Sequence, residues 1–173
     1  MELNEREIQD QFYKCNCQRF TTILPNCYPR RWFECDLLAI TRASYFYEYE
    51  IKLTVSDFRA DAKKGQLPQH MIKYYKRYGF PEGKTKYDKL SDGSEYGPSK
   101  FWYIVPEGLI DVAQLPDFAG LIYITERNTH LFFCEIKKAP RLHLNRMPEE
   151  SRDQIRCNLY FRYWNERLRK KPE

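Results

Sequence analysis

Hydrophobic and polar positions follow two different periods along this chain. Behind Asn4, a residue that caps helices, Ile8, Phe12 and Cys15 repeat at helical spacing and Glu7 sits at the capping-box position, which predicts a helix over residues 4–19. Pro25 and Pro29 then break the chain. Two runs rich in β-branched and aromatic residues follow, RWFECDLLAIT (31–41) and YFYEYEIKL (45–53), and their short link predicts an antiparallel hairpin. Thr54 or Ser56 caps a helix through SDFRADAKK, with a second helical segment from Pro68 to Tyr78. Residues 79–100 hold four of the seven glycines and no apolar period, which predicts a long mobile surface loop. Three more strands are expected at Phe101–Val105, Gly120–Thr125 and Leu131–Lys137, and a helix from Pro148 to about Lys170 has an acidic start and a basic end that complement its dipole. Helices on either side of a mostly β centre, without repeats or a linker, predict an α/β (α+β) layered fold in one domain over residues 1–173.

The hairpin is where the alternation becomes chemically informative. It places Glu34, Asp36, Leu38 and Ile40 on one face of the first strand, and Glu48, Glu50 and Lys52 on one face of the second. An ionised carboxylate beside Leu38 and Ile40 is costly unless something compensates it. Paired carboxylates are hard oxygen ligands of the kind that hold Mg²⁺ or Mn²⁺. A lysine two residues beyond one acid points the same way, where it can orient or deprotonate a water and offset charge on a phosphoryl group. The competing reading is a strand whose charges face solvent while Tyr45, Tyr47, Tyr49 and Ile51 face the core.

Composition narrows the classes. A chain of 173 residues, 42% hydrophobic and 16% aromatic, is neither disordered nor collagen-like, and no apolar run is long enough to cross a bilayer. The opening MELNEREIQD has no basic and apolar leader pattern, so a cytoplasmic setting is expected. Six cysteines are then read as reduced thiols, with a zinc site at Cys15, Cys17, Cys27 and Cys35 as the lesser alternative. The net charge of +5 is concentrated in Arg152–Lys171 and in Lys63, Lys64, Lys73, Lys76 and Arg77, the latter interleaved with Tyr74, Tyr75 and Tyr78. Basic and aromatic side chains together suit phosphate neutralisation and base stacking. His70, His130 and His143 have no metal-ligand or triad spacing, and a second E-x-K at Glu135 and Lys137 reads as an edge strand guarded by charge.

The order of segments carries more than the three charged residues alone. Asp36-x13-Glu50-x-Lys52 after an N-terminal helix resembles the PD-(D/E)XK nuclease superfamily. The succession E50-I-K52, D57-F-R-A-D61-A-K63, F101-W-Y-I-V-P106 and A119-G-L-I122, continuing through K138-A-P140-R-L into a basic helix, resembles its MmcB-like DNA repair branch from about Arg30 to Arg167. The resemblance implies a restriction-endonuclease-like αβββαβ core, with a central mixed sheet flanked by helices. It also implies divalent-metal-dependent hydrolysis of DNA phosphodiesters, in DNA repair or in phage and mobile-element DNA processing. Asp36, Glu50 and the carbonyl of Ile51 would hold Mg²⁺ or Mn²⁺, Lys52 would act on the water, and Glu5 is the first-helix acid that would join them. Arg30, Arg31, Lys63 and Lys64 are candidate DNA contacts by charge and position. Cys35 stands where the superfamily name implies Pro, and the 79–100 segment is additional. The alternative function is a catalytically silent nucleic-acid-binding module on the same scaffold; a homodimer stays open, and no membrane partner is expected.

Overall fold

The computed structural model describes residues 3–61, 84–128 and 130–169. A helix α1 (Glu5–Asn16) leads into strands β1 (Phe20–Cys27), β2 (Cys35–Thr41) and β3 (Phe46–Ile51). Helices α2 (Val55–Asp61) and α3 (Lys86–Ser91) precede β4 (Lys100–Pro106), and β5 (Ala119–Arg127), β6 (His130–Lys137) and α4 (Glu149–Arg169) complete the order. The strands form one six-stranded mixed sheet in sequence order, antiparallel at β1–β2–β3 and β5–β6 and parallel at β3–β4–β5. The parallel step between β3 and β4 needs a crossover, and α2 and α3 lie on it.

Two apolar layers sandwich the sheet. Ile8 and Phe12 of α1 pack with Leu37, Tyr49, Ile51, Trp102 and Ile104 on one face. Phe58 of α2, Leu90 of α3 and Ile155 of α4 pack with Leu38, Ile40, Phe46, Phe101 and Tyr103 on the other. Asn4 caps α1 by accepting the Glu7 N–H at 2.9 Å, and Thr54 caps α2 by accepting the Asp57 N–H at 3.1 Å. Among the described residues no helix is long and apolar enough to cross a membrane.

Several expectations need correction. β1 falls where the prolines were expected to break the chain; it is an edge strand, where Pro25 can pair with Leu37 without needing its missing N–H on the outer side. β2 starts at Cys35, because residues 29–34 turn, with Trp32 donating its N–H to the Pro29 carbonyl at 3.1 Å and Arg31 at φ 60°. The expected loop is not bare surface: its described part contains α3, capped by a reciprocal Thr85–Asp88 box, with Lys86, Lys89 and Leu90 buried. Cys15 is exposed, and Gln9 takes its place on the buried face of α1. Cys15 and Cys17 are exposed while Cys27 and Cys35 are buried opposite one another on β1 and β2, so the four do not converge on a zinc ion. The second helical segment, its basic and tyrosine residues, and His70 lie outside the described residues.

Candidate functional site: a buried carboxylate and lysine cluster

The alternative in which Glu48, Glu50 and Lys52 face solvent fails. β3 is an interior strand covered on both faces, so Glu48, Glu50 and, just past its end, Lys52 are residues only 0%, 4% and 1% exposed. Burying charge at that depth demands partners, and the structure supplies them. Lys52 Nζ lies 2.9 Å from Glu50 Oε1 and 3.2 Å from Asp61 Oδ1. Lys86 Nζ, from α3, lies 2.6 Å from Glu48 Oε1 and 2.7 Å from Glu50 Oε2, and donates to the Glu34 carbonyl. The Trp32 indole donates to Glu48 Oε2 at 2.7 Å, and the Tyr103 hydroxyl to Asp61 Oδ2 at 2.8 Å. Trp32 reaches that position because Gly97 passes over it: a Cβ there would lie 2.7 Å from the indole ring.

Asp36 sits at the mouth of this cluster. The β2–β3 ladder pairs Leu37 with Tyr49 and goes no further, so Asp36 and Glu50 come next on facing strands and on the same side. There the Asp36 side chain replaces the backbone ladder, Oδ2 accepting the Ile51 N–H at 2.8 Å. Gln9 Nε2, buried on α1, reaches Glu5 Oε1 at 2.8 Å, Asn26 Oδ1 at 2.9 Å and the Asp36 carbonyl at 3.0 Å. One glutamine thus ties the first helix, with Glu5 at the rim, to the aspartate strand.

The electrostatics separate the carboxylates. Burial opposes the charged form of Glu50, but Lys86 and Lys52 outweigh it and hold its carboxyl below the usual range. Glu48 is raised by burial despite Lys86. Burial likewise works against charge on Lys52, yet Glu50, Asp61 and Asp36 win and hold it as an ammonium well above neutrality. Asp36 goes the other way. Burial first, then the neighbouring Glu50 charge, push it up to about 7, and among the described residues no cation touches it.

That uncovered charge is what a small hard cation would relieve. Among the described residues no three His, Cys, Asp or Glu side chains form a ready cage. Mg²⁺ is commonly held by one or two carboxylates with waters and substrate phosphates, and Asp36 with Glu50 fits that smaller set. Ile51 is beside Asp36 through its N–H. Of the other expected residues, Glu34 is exposed and accepts the Tyr28 hydroxyl, Arg30 pairs with Glu150 of α4, and Arg31 stacks on Tyr96 at 4.8 Å. Lys63 and Lys64 lie outside the described residues. Sequence reasoning missed Lys86, Asp61 as the partner of Lys52, Gln9 and Trp32. The one signal for Lys86 is the T-x-x-D box, Thr85 to Asp88, that encloses it.

No protein-family model and no curated protein matches the chain. Among solved structures it is similar to a protein of unknown function from Silicibacter pomeroyi, at 14% identity and a TM-score of 0.57, over 98% of this chain and 94% of that one. At that identity the likeness shows the fold alone: a mixed α+β architecture whose six-stranded sheet is flanked by helices.

Proposed function

We propose that the chain is a divalent-metal-dependent nuclease of the PD-(D/E)XK type, close to its MmcB-like branch, acting on DNA phosphodiesters in repair or in phage and mobile-element DNA processing. The observation that carries the reading is the convergence of Asp36, Glu50 and Lys52 on one buried sheet face, where Asp36 has no ion-pair partner among the described residues. The element order from α1 through β1, β2, β3 and α2 to β4 supports the αβββαβ core, and β1 completes it. Asp36 and Glu50, with Ile51 alongside, would hold Mg²⁺ or Mn²⁺, which when bound polarises the phosphoryl oxygen and acidifies a bound water. Glu50, Asp61 and Asp36 favour the ammonium form of Lys52 against its burial, which suits it to orient the attacking water and to offset charge gathering at phosphorus. Lys86 fixes the other oxygen of Glu50, and Glu5 through Gln9 fixes the strand that carries Asp36.

A second reading rests on one specific contact set. Both oxygens of Glu50 are already engaged by ammonium groups, Oε1 by Lys52 and Oε2 by Lys86. A scaffold frozen in that arrangement would bind nucleic acid without cutting it. Incubation of single-stranded, duplex, nicked and flapped DNA with Mg²⁺ or Mn²⁺ separates the two. The nuclease reading expects cleavage of at least one form, stopped by EDTA and by Asp36→Asn. Equal cleavage by Asp36→Asn refutes the assigned site, and binding of DNA with no cleavage of any form favours the silent scaffold.

A further inference from the structure

Far from Asp36, at the other end of β2, a cavity of about 430 Å³ opens between the edge of the sheet and α4. Thr21 and Thr41 of the strands, Arg42 and Ser44 of the β2–β3 turn, and Arg152 and Arg156 of α4 line it, and no carboxylate is among its described lining residues. We propose that this cavity binds a phosphate group. It belongs to none of the contacts that build the carboxylate and lysine cluster.

Arg152 is the first reason. Its Nη1 donates to Ser44 Oγ at 3.1 Å, but its Nε is buried with no hydrogen-bond partner among the described residues. A buried donor left unmet is costly, and the planar guanidinium fork is shaped to meet a phosphate through two of its N–H groups. Ser44 is the second. It occupies the last position of a three-residue turn with φ 64°, where glycine would sit without strain. A serine is kept there, and its hydroxyl holds Arg152 while its carbonyl accepts the Met147 N–H at 2.8 Å and its N–H reaches the Thr41 carbonyl at 2.9 Å. The turn and the approach to α4 are thereby locked together around the arginine. Charge is the third. Arg156 is partly neutralised by Asp153 at 2.7 Å, but among the described residues Arg42 has only the Gln18 carbonyl, at 3.3 Å, and Arg152 only Ser44. Two guanidinium groups from separate elements, neither paired with a carboxylate among the described residues, together with hydroxyl donors suit a tetrahedral dianion.

A phosphate monoester in solution and a phosphate of a nucleic-acid backbone offer the same chemistry. Ile40, which also lines the cavity, is four residues along β2 from Asp36, about 13 Å at the usual rise per strand residue, so one nucleic-acid strand can span both places.

The test is titration of the metal-free protein in EDTA with inorganic phosphate, followed by backbone amide NMR shifts at Thr41, Arg42 and Ser44. Saturable shifts confined to the cavity are expected, with affinity at least tenfold weaker in Arg42→Ala and in Arg152→Gln. Arg42 is exposed, so Arg42→Ala keeps the fold even if Arg152→Gln does not. Unsaturable shifts reproduced by chloride at equal ionic strength, or unchanged affinity in Arg42→Ala, overturn the proposal. A single-stranded oligonucleotide then identifies the source. Displacement of the oligonucleotide by phosphate, with the same loss in both variants, assigns a backbone phosphate; phosphate binding with oligonucleotide affinity unchanged in the variants assigns a small ester. The test needs no metal and no cleavage, so it can fail or succeed independently of the nuclease reading.

Discussion

Asp36 pays for its place at the site. Its carboxyl is raised from an ordinary value of 3.8 to about 7, so the folded chain holds a proton that the unfolded chain has released. The contribution of Asp36 to stability therefore falls as pH rises from about 4 to about 7 and levels off above, because at this group the unfolded state binds fewer protons throughout that window. Asp36→Asn removes the penalty and can still accept the Ile51 N–H. In EDTA its stabilising effect should grow across that window and reach about 2–4 kcal/mol at pH 8. Urea unfolding at pH 5 and pH 8 reads this directly, and a gain that does not change with pH contradicts it. Lys86 behaves oppositely. Lys86→Met leaves Glu48 and Glu50 buried beside a missing cation and should cost about 3–5 kcal/mol, with part of that loss recovered in the double variant with Glu48→Gln. A loss under about 1 kcal/mol would mean that Lys86 is not a working partner. Asp36, Glu50 and Lys52 were legible in the sequence because strand alternation fixes which side chains share a face. Their partners were not. Lys86 and Asp61 reach them across 36 and 9 residues of chain respectively, and no local pattern encodes such a meeting.

At the level of elements, periodicity revealed what is long and regular and lost what is short or irregular. β3 to β6 and α4 were found within a few residues of their true bounds because each carries an uninterrupted pattern. β1 was hidden by Pro25, which an edge strand tolerates and an interior strand does not. α3 spans six residues, less than two turns, and its polar sequence buries Lys86 and Lys89 through their partners rather than through an apolar stripe. α4 shows how unevenly a regular helix can be anchored. Only Ser151 and Ile155 are buried, and beyond them Arg162 holds the helix to the carbonyls of Pro25 and Asn26. Ile155→Ala should cost about 2–4 kcal/mol, while Leu168→Ala, on the exposed last turn, should stay within about 0.5 kcal/mol. Comparable losses from the two, measured by thermal unfolding, would mean that the outer half of α4 packs against something in solution.

For the whole molecule, the sheet divides the labour. One face is an apolar layer closed by α1, and the other carries the charged cluster beneath α2 and α3 and the arginine-lined cavity beside α4. Charge balance agrees with a polyanionic partner: the chain is +5, and α4 beyond Ile155 presents Arg156, Arg162, Arg167 and Arg169 against Glu166 alone. Oligonucleotide affinity should accordingly fall steeply as salt is raised, and a flat response would remove phosphate contacts from the account. The claim on which the rest depends is narrower: the uncovered charge at Asp36 is where a divalent cation belongs. Calorimetric titration of Mn²⁺ into the purified chain at pH 8 addresses it most directly. One ion bound per chain, abolished by Asp36→Asn while that variant stays folded, is the expected result; no binding to the unaltered chain, or equal binding to both, would contradict it.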